Sequence, residues 1–150
     1  MDTGGSAGDT LGAMTSSIAT TTIDCGNAFQ LSEWWKQVIG YVDLADDPNE
    51  PGHEECLIRS EETGQQLLFI EVPDAKQVKN RIHLDLRPTD RTRDEEVERL
   101  RGLGARQLAD HRDIRGDGTG WVVLADPEGN EFCVLRSDAE RAASTASPAS

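Results

Sequence analysis

The chain has 150 residues, with 28 acidic and 15 basic side chains and a formal net charge of −13 at neutral pH. So acidic a surface repels phosphate backbones and anionic headgroups, which excludes nucleic acid and membranes as expected partners. No apolar run approaches the ~20 residues of a membrane span, and the chain does not open with a signal-peptide pattern. Three isolated cysteines favour reduced thiols and a cytoplasmic location over a disulfide framework.

Small and polar residues dominate both ends of the chain and offer little apolar surface to bury. Residues 1–17 and 138–150 are therefore predicted to be disordered tails. The folded domain is expected over residues 18–137, in two modules at about 18–72 and 81–137.

The first half of the chain is predicted to hold one helix among four strands. Apolar residues at mixed three- and four-residue spacing over 28–39 predict an amphipathic helix, which Gly40 ends. β-Branched and apolar runs between turn residues predict strands at 17–25, 41–44, 56–60 and 66–72. Residues 73–80 are predicted to be a linker.

After this linker the same order of elements returns. Ile82, Leu84 and Leu86 alternate with polar residues and predict a strand over 81–87 with one face in the core. Segment 92–101 has acidic residues near its start and arginines near its end, an order that suits the helix dipole and predicts a helix there. Three further strands are predicted at 105–110, 121–126 and 131–135. The repeated order predicts a pseudo-symmetric domain of the α+β class.

Several segments carry a resemblance to a known family. They are IDC at 23–25, EWW at 33–35, VPDAKQVKNRIHLDLR at 72–87, LGA at 103–105 and WVVLADPEGNEFCVL at 121–135. With the repeat, they resemble the vicinal oxygen chelate superfamily, which holds glyoxalase I, bleomycin-resistance proteins and extradiol dioxygenases. The chain is most similar to the actinobacterial glyoxalase-like domain group. The resemblance implies two tandem βαβββ modules whose mixed sheet curls around a cavity, with the helices outside.

This resemblance also implies which side chains face the cavity. The helix-facing set would pack on the helices with Trp34 or Trp35, and it comprises Leu84, Leu86, Phe132 and Val134. The cavity-facing set would line the cavity, and it comprises His83, Asp85, Arg87, Glu131 and Cys133.

Metal-dependent members of the superfamily hold a divalent ion through a His or Gln on the first strand of each module and a Glu on the last. Carried over to this chain, the four positions fall on Thr20, His83, Leu68 and Cys133. Of these, only His83 is a good ligand, and Cys133 is a soft one. The usual metal set is therefore expected to be absent and no cofactor is expected, although a divalent metal is possible. If a divalent metal is present, His83 and Glu131 are its expected ligands.

The candidate catalytic residues are His83 and Asp85. The histidine could be a structural strand residue hydrogen-bonded to Asp85, or an acid–base group that Asp85 orients. Asp24 and Arg87 are candidate ligand-binding residues, or else a buried ion pair across the sheet. Trp121 could stack on a flat ligand at the cavity mouth.

Glu131 and Cys133 complete the candidate ligand-binding set. Cys133 could instead be a small buried apolar residue, and Glu131 a carboxylate at the rim that faces water. The remaining histidines, His53 and His111, are predicted to be solvated in polar loops.

Two functions remain open at this point. Loss of the metal set favours a small-molecule binder of the bleomycin-resistance type, and the acidic surface favours cationic ligands. The alternative is a lyase or isomerase that uses His83 and a cavity carboxylate for proton transfer next to a carbonyl. The resemblance also implies a possible homodimer.

Overall fold

The secondary structure repeats one unit twice and adds a final helix. The computed structural model describes residues 12–146. Its elements are β1 (Thr21–Cys25), α1 (Ala28–Ile39), β2 (Val42–Asp43), β3 (Glu55–Arg59), β4 (Gln66–Glu71), β5 (Asp85–Leu86), α2 (Arg93–Gly102), β6 (Arg106–Asp110), β7 (Val122–Ala125), β8 (Glu131–Val134) and α3 (Asp138–Ala146). The α+β class and the two tandem βαβββ modules are confirmed.

The strands form two separate four-stranded sheets, in the orders β1-β4-β3-β2 and β5-β8-β7-β6. In each module the first strand pairs parallel to the last, and the other pairs are antiparallel. The strands were expected to curl together around one cavity, but no ladder joins β1 to β5 in the described residues. The two sheets therefore stay open towards each other.

Side-chain hydrogen bonds fix where the two main helices begin. The Asn27 side chain accepts from the Gln30 N–H at 2.9 Å, and α1 ends at Gly40, whose φ of 73° favours glycine. Thr92 and Glu95 form a capping box at the start of α2. Within residues 12–146, no helix is long and apolar enough to cross a bilayer.

One hydrophobic core serves both modules. Trp34 and Trp35 of α1 pack edge-on against Phe132 of β8, with ring centroids 6.1 and 5.1 Å apart. The Trp34 indole also donates to the carbonyl of Leu103, at the end of α2, at 2.8 Å. Val134 is fully buried in the same core, as predicted.

The strand expected over 81–87 is much shorter in the structure. Only Asp85 and Leu86 pair with β8 as a regular ladder. Leu84 and Leu86 pack partly against the core, as expected, but Ile82 is 82% exposed and the prediction that it faces the core is wrong. Ile82 therefore lies outside the sheet, which the chain joins only at Asp85.

The C-terminal segment also differs from its prediction. Residues Asp138–Ala146 form helix α3 where a disordered tail was expected. The Glu140 carboxylate accepts from the backbone N–H groups of Arg93 and Ser137 at 2.8 and 2.7 Å, which ties α3 to the start of α2. The rest of the two predicted tails, at 1–11 and 147–150, lies outside the described residues.

Candidate functional site

The second sheet has a cavity that contains several polar side chains, on the face that turns away from the core. Strand alternation puts Phe132 and Val134 into the core and Glu131 and Cys133 on the opposite face. A cavity of about 380 Å³ lies against this opposite face. We call it the outer cavity, and it is lined by Lys79, His83, Asp85, His111, Trp121, Val123, Glu131, Cys133 and Leu135.

Three potential ligand atoms meet at the centre of the outer cavity. The His83 imidazole, the Asp85 carboxylate and the Cys133 thiol lie within 4.8 Å of one another, and His83 Nε2 is 3.4 Å from Asp85 Oδ1. Strand register produces this arrangement because Asp85 pairs with Cys133, and the Cys133 N–H donates to the Leu84 carbonyl at 2.9 Å. The sequence-predicted residues His83, Asp85 and Cys133 are thus brought together.

The electrostatics of this cluster keep the thiol protonated. Burial, and after it the Asp85 carboxylate, which repels a thiolate, raise the pKa of Cys133 to about 11. A cysteine in this state is a poor nucleophile at neutral pH. The His83 and Asp85 side chains, in contrast, are 39% and 53% exposed and accessible to a ligand.

An aromatic pair forms one wall of the outer cavity. The rings of His111 and Trp121 lie 5.3 Å apart, and the His111 N–H donates to the Trp121 carbonyl at 2.9 Å. Trp121 was predicted to stand at the cavity mouth. His111 was expected to be solvated, and it and Lys79 were missed as site residues. Asp110 pairs with Val122, and this pairing places the neighbouring residues His111 and Trp121 side by side. The signal that could have found His111 is therefore the β6–β7 register.

Glu131 borders the outer cavity, but its carboxylate is already engaged. Oε1 lies 3.1 Å from Lys76 Nζ, and Oε2 accepts from the Asn80 N–H at 3.0 Å. Burial opposes ionisation of this group, but the hydrogen bonds from Asn80 and Lys76 outweigh it and lower the pKa of Glu131. Because both of its oxygens contact the linker, Glu131 is not part of the cluster that His83 forms with Asp85 and Cys133.

Two predicted site residues lie elsewhere. Arg87 donates to the Arg136 carbonyl, and its Nε lies 3.5 Å from Asp138 Oδ1, so it binds the C-terminal segment. Asp24 is exposed at a different cavity, between the modules. The predicted Asp24–Arg87 ion pair is wrong, because β1 and β5 do not pair and Asp138 takes the place of Asp24.

The donor set of the outer cavity suits a borderline or soft divalent metal. A nitrogen, a carboxylate oxygen and a sulfur within 4.8 Å of one another match the ligands of zinc better than the all-oxygen sets of magnesium. His83, Asp85 and Cys133 would hold such an ion, and the thiol would release its proton on binding. Neither Thr20 nor Leu68 belongs to the cluster.

The chain has the vicinal oxygen chelate fold. Its two βαβββ modules are paired, their sheets are open, and a polar cluster lies on the last parallel strand pair. Residues 20–135 match the model of the glyoxalase-like domain family, and the chain belongs to this family. No curated protein matches the chain.

Solved structures share the same fold at low sequence identity. A fosfomycin resistance protein FosX from Listeria monocytogenes, complexed with Mn(II) and 1S,2S-dihydroxypropylphosphonic acid, is 15% identical with a TM-score of 0.62, over 85% of this chain and 95% of that one. FosX from Mesorhizobium loti is 13% identical with a TM-score of 0.58, over 87% and 99%. A possible glyoxalase from Bacillus cereus is 14% identical with a TM-score of 0.56, over 79% and 97%.

Proposed function

We propose that this protein binds a small organic molecule in the outer cavity, in the manner of the bleomycin-resistance proteins that sequester a drug. One observation carries the proposal: a polar cluster and an aromatic wall converge on a single uncovered sheet face. His83 and Asp85 supply polar anchors, and Trp121 supplies a stacking surface. The usual four-ligand metal set is not available, because Thr20 and Leu68 occupy two of its positions.

The charges of the outer cavity favour a cationic or hydrogen-bond-donating ligand. Asp85 offers a half-exposed carboxylate beside His83, and Lys79 lies elsewhere on the cavity wall. FosX from Listeria monocytogenes was solved with a phosphonate and Mn(II). The exposed Asp85 carboxylate in the central cluster would repel a phosphonate, so fosfomycin is not the ligand that we propose.

The His83–Asp85 contact supports a second candidate function, a lyase or isomerase. Imidazole Nδ1 could accept a proton from a carbon next to a carbonyl, while Nε2 directs its own proton at Asp85 Oδ1, 3.4 Å away, and this carboxylate would stabilise the resulting imidazolium. With a divalent metal held by His83, Asp85 and Cys133, the imidazole would be a ligand instead of the base, and the metal would supply a Lewis acid for the carbonyl oxygen. His83 lies just before β5, and its contact with Asp85 orients the ring.

A homodimer is part of the proposal. The uncovered face of the first sheet carries partly exposed apolar residues, including Leu57, Leu68 and Ile70. A second copy could cover this face, and sedimentation velocity would report it directly. The cytoplasmic location and the actinobacterial subgroup stay predictions.

Calorimetric titration of metal-free protein with bleomycin tests the binding function. We expect saturable binding that weakens at least about fivefold in His83→Ala and in Trp121→Ala, with folding intact in both. His53→Ala is the matched control, because His53 lies in an exposed loop outside the cavity and its removal should leave the affinity unchanged.

The two candidate functions give different results. No heat of binding with bleomycin would contradict the sequestration proposal. Turnover in a glyoxalase-type isomerisation assay that disappears in His83→Ala would then establish the enzyme instead. Unfolding of His83→Ala would show that the histidine is a structural residue.

A further inference from the structure

A second cavity lies between the two modules, on the core side of β8. Its volume is about 470 Å³, which is within the range of small-molecule sites. Its floor is apolar and is formed by Ile23, Trp35, Leu84 and Phe132. Since Phe132 and Cys133 point to opposite faces of β8, this inter-module cavity and the outer cavity are on opposite sides of the sheet, although His83 and Glu131 border both.

The linker forms one wall of the inter-module cavity. We call residues 73–82 the strap; its contacts with the cavity include Asp74, Ala75 and Arg81. Glu131 holds the strap to β8 by accepting from Lys76 Nζ and from the Asn80 N–H. The strap is therefore clamped to the second module while it stands over β1 of the first.

The rim of the inter-module cavity carries an unbalanced set of charges. Lys76 and Glu131 neutralise each other at 3.1 Å. Asp24, Asp74 and Arg81 are exposed, and within residues 12–146 none of them has an oppositely charged partner within 4.0 Å. Two carboxylates thus stand against one guanidinium, in a chain whose net charge is −13. This balance attracts cations.

One apolar side chain at the same rim is exposed and lies outside the hydrophobic core. Ile82 lines the cavity and is 82% exposed. Leu84 and Ile23 beside it are only partly buried. An apolar body placed over these three residues would remove their surface from water at roughly 25 cal/mol per Å².

We propose that the inter-module cavity is a second ligand site, which takes a small organic cation with an apolar body. The apolar body lies over Ile23, Leu84 and Ile82. The cationic group faces Asp24 and Asp74 at the rim. This site lies on the opposite side of the sheet from the outer cavity and shares only His83 and Glu131 with it, so the inference goes beyond the proposed function.

Indole signals distinguish the two cavities in one nitrogen-15 correlation spectrum. Benzyltrimethylammonium is the probe, because it combines a fixed positive charge with an aromatic ring. Trp35 lies at the floor of the inter-module cavity and Trp121 in the wall of the outer cavity. We expect saturable shifts of the Trp35 indole and of the Ile23 and Leu84 amides, with the same midpoint in Trp121→Ala, which removes the stacking surface of the outer cavity.

Charge variants at the rim test the assigned chemistry. Asp24→Asn should weaken binding about threefold, and Arg81→Gln should tighten it, because the first removes an attracting charge and the second a repelling one. Asp46→Asn is the matched control, since Asp46 is an exposed acid that does not line the cavity. Equal losses in Asp24→Asn and Asp46→Asn would overturn the site in favour of non-specific attraction. Shifts confined to Trp121, or none that saturate, would also overturn it.

Discussion

Asp85 and Cys133 occupy partner positions on the parallel strands β5 and β8, so a half-exposed carboxylate adjoins a buried thiol. His83, two residues before Asp85, brings its imidazole to the same point. The carboxylate repels the thiolate form of Cys133 and so helps to keep this side chain protonated.

Asp85→Asn should lower the pKa of the Cys133 thiol. Burial, the largest cause of the raised value of about 11, is unchanged by the substitution, so the pKa should fall without reaching its ordinary value of 9.0. The rate of Cys133 alkylation by iodoacetamide as a function of pH, followed by peptide mass spectrometry, measures this shift. An unchanged pH profile would contradict the close contact of the two groups.

Zn²⁺ should bind the outer cavity with one equivalent per chain and more tightly than Mg²⁺, because the donors are nitrogen, oxygen and sulfur. Binding should release a proton, since Cys133 is a thiol in the metal-free protein. Calorimetry in buffers of different ionisation enthalpy measures both quantities.

Cys133→Ser should abolish the proton release and weaken Zn²⁺ at least about tenfold. Cys56→Ser is the control, because Cys56 is buried in the first module, away from the cluster. Equal Zn²⁺ affinity in wild type and Cys133→Ser would rule out the thiol as a ligand.

Glu131→Gln should loosen the strap and lower the free energy of unfolding by about 1 kcal/mol at pH 7, since it removes a charge-assisted hydrogen bond and an ion pair. The pKa of Glu131 is lowered in the folded state, so its contribution is complete above the ordinary value of 4.5 and is lost as the pH falls through the lowered value. The difference in stability between wild type and variant should therefore shrink below pH 4.5.

Urea unfolding at several pH values and hydrogen exchange of the strap amides measure these effects. Glu98→Gln is the control, because Glu98 makes an exposed ion pair with Arg101 at 3.0 Å and should change stability little. Strap protection equal to that of wild type in Glu131→Gln would show that the clamp does not hold the linker.

Asp126→Ala should destabilise the fold by about 3 kcal/mol, because it leaves several buried donors without a partner. The carboxylate is 4% exposed and accepts from Trp35 Nε1 at 3.1 Å and from the Glu128 and Asn130 N–H groups at 2.9 Å each. Urea unfolding measures the loss. Asp117→Ala removes a turn carboxylate that accepts from Thr119 in an exposed loop, and it should change stability far less than Asp126→Ala does.

The elements with strong local signals were predicted well from the sequence. Helix α1 spans 28–39, as the apolar spacing and Gly40 indicated, and the order of both modules is confirmed. The strand at 81–87 was overestimated because its alternation continues to Ile82, whereas the Glu131 carboxylate takes the Asn80 N–H and draws the preceding chain away from the sheet. That contact joins residues far apart in sequence and has no local signature.

The site was predicted in part for the same reason. Resemblance to the family placed His83, and strand alternation placed Asp85, Glu131 and Cys133 on its face of the sheet. Arg87 follows the same alternation, but it turns to Arg136 and Asp138, in a segment that was expected to be disordered. His111 reaches Trp121 only through strand pairing that is interrupted by an irregularity between Gln107 and Ala109.

Helix α1 belongs to the first module in sequence and packs on its sheet, but its two tryptophans also contact Phe132 of the second module. A gene fragment that encoded residues 81–137 alone would leave Phe132 facing water, and a fragment encoding 18–72 would expose both indoles. The two modules therefore depend on each other within one polypeptide. A single module on its own would need a second chain to bury the same surface.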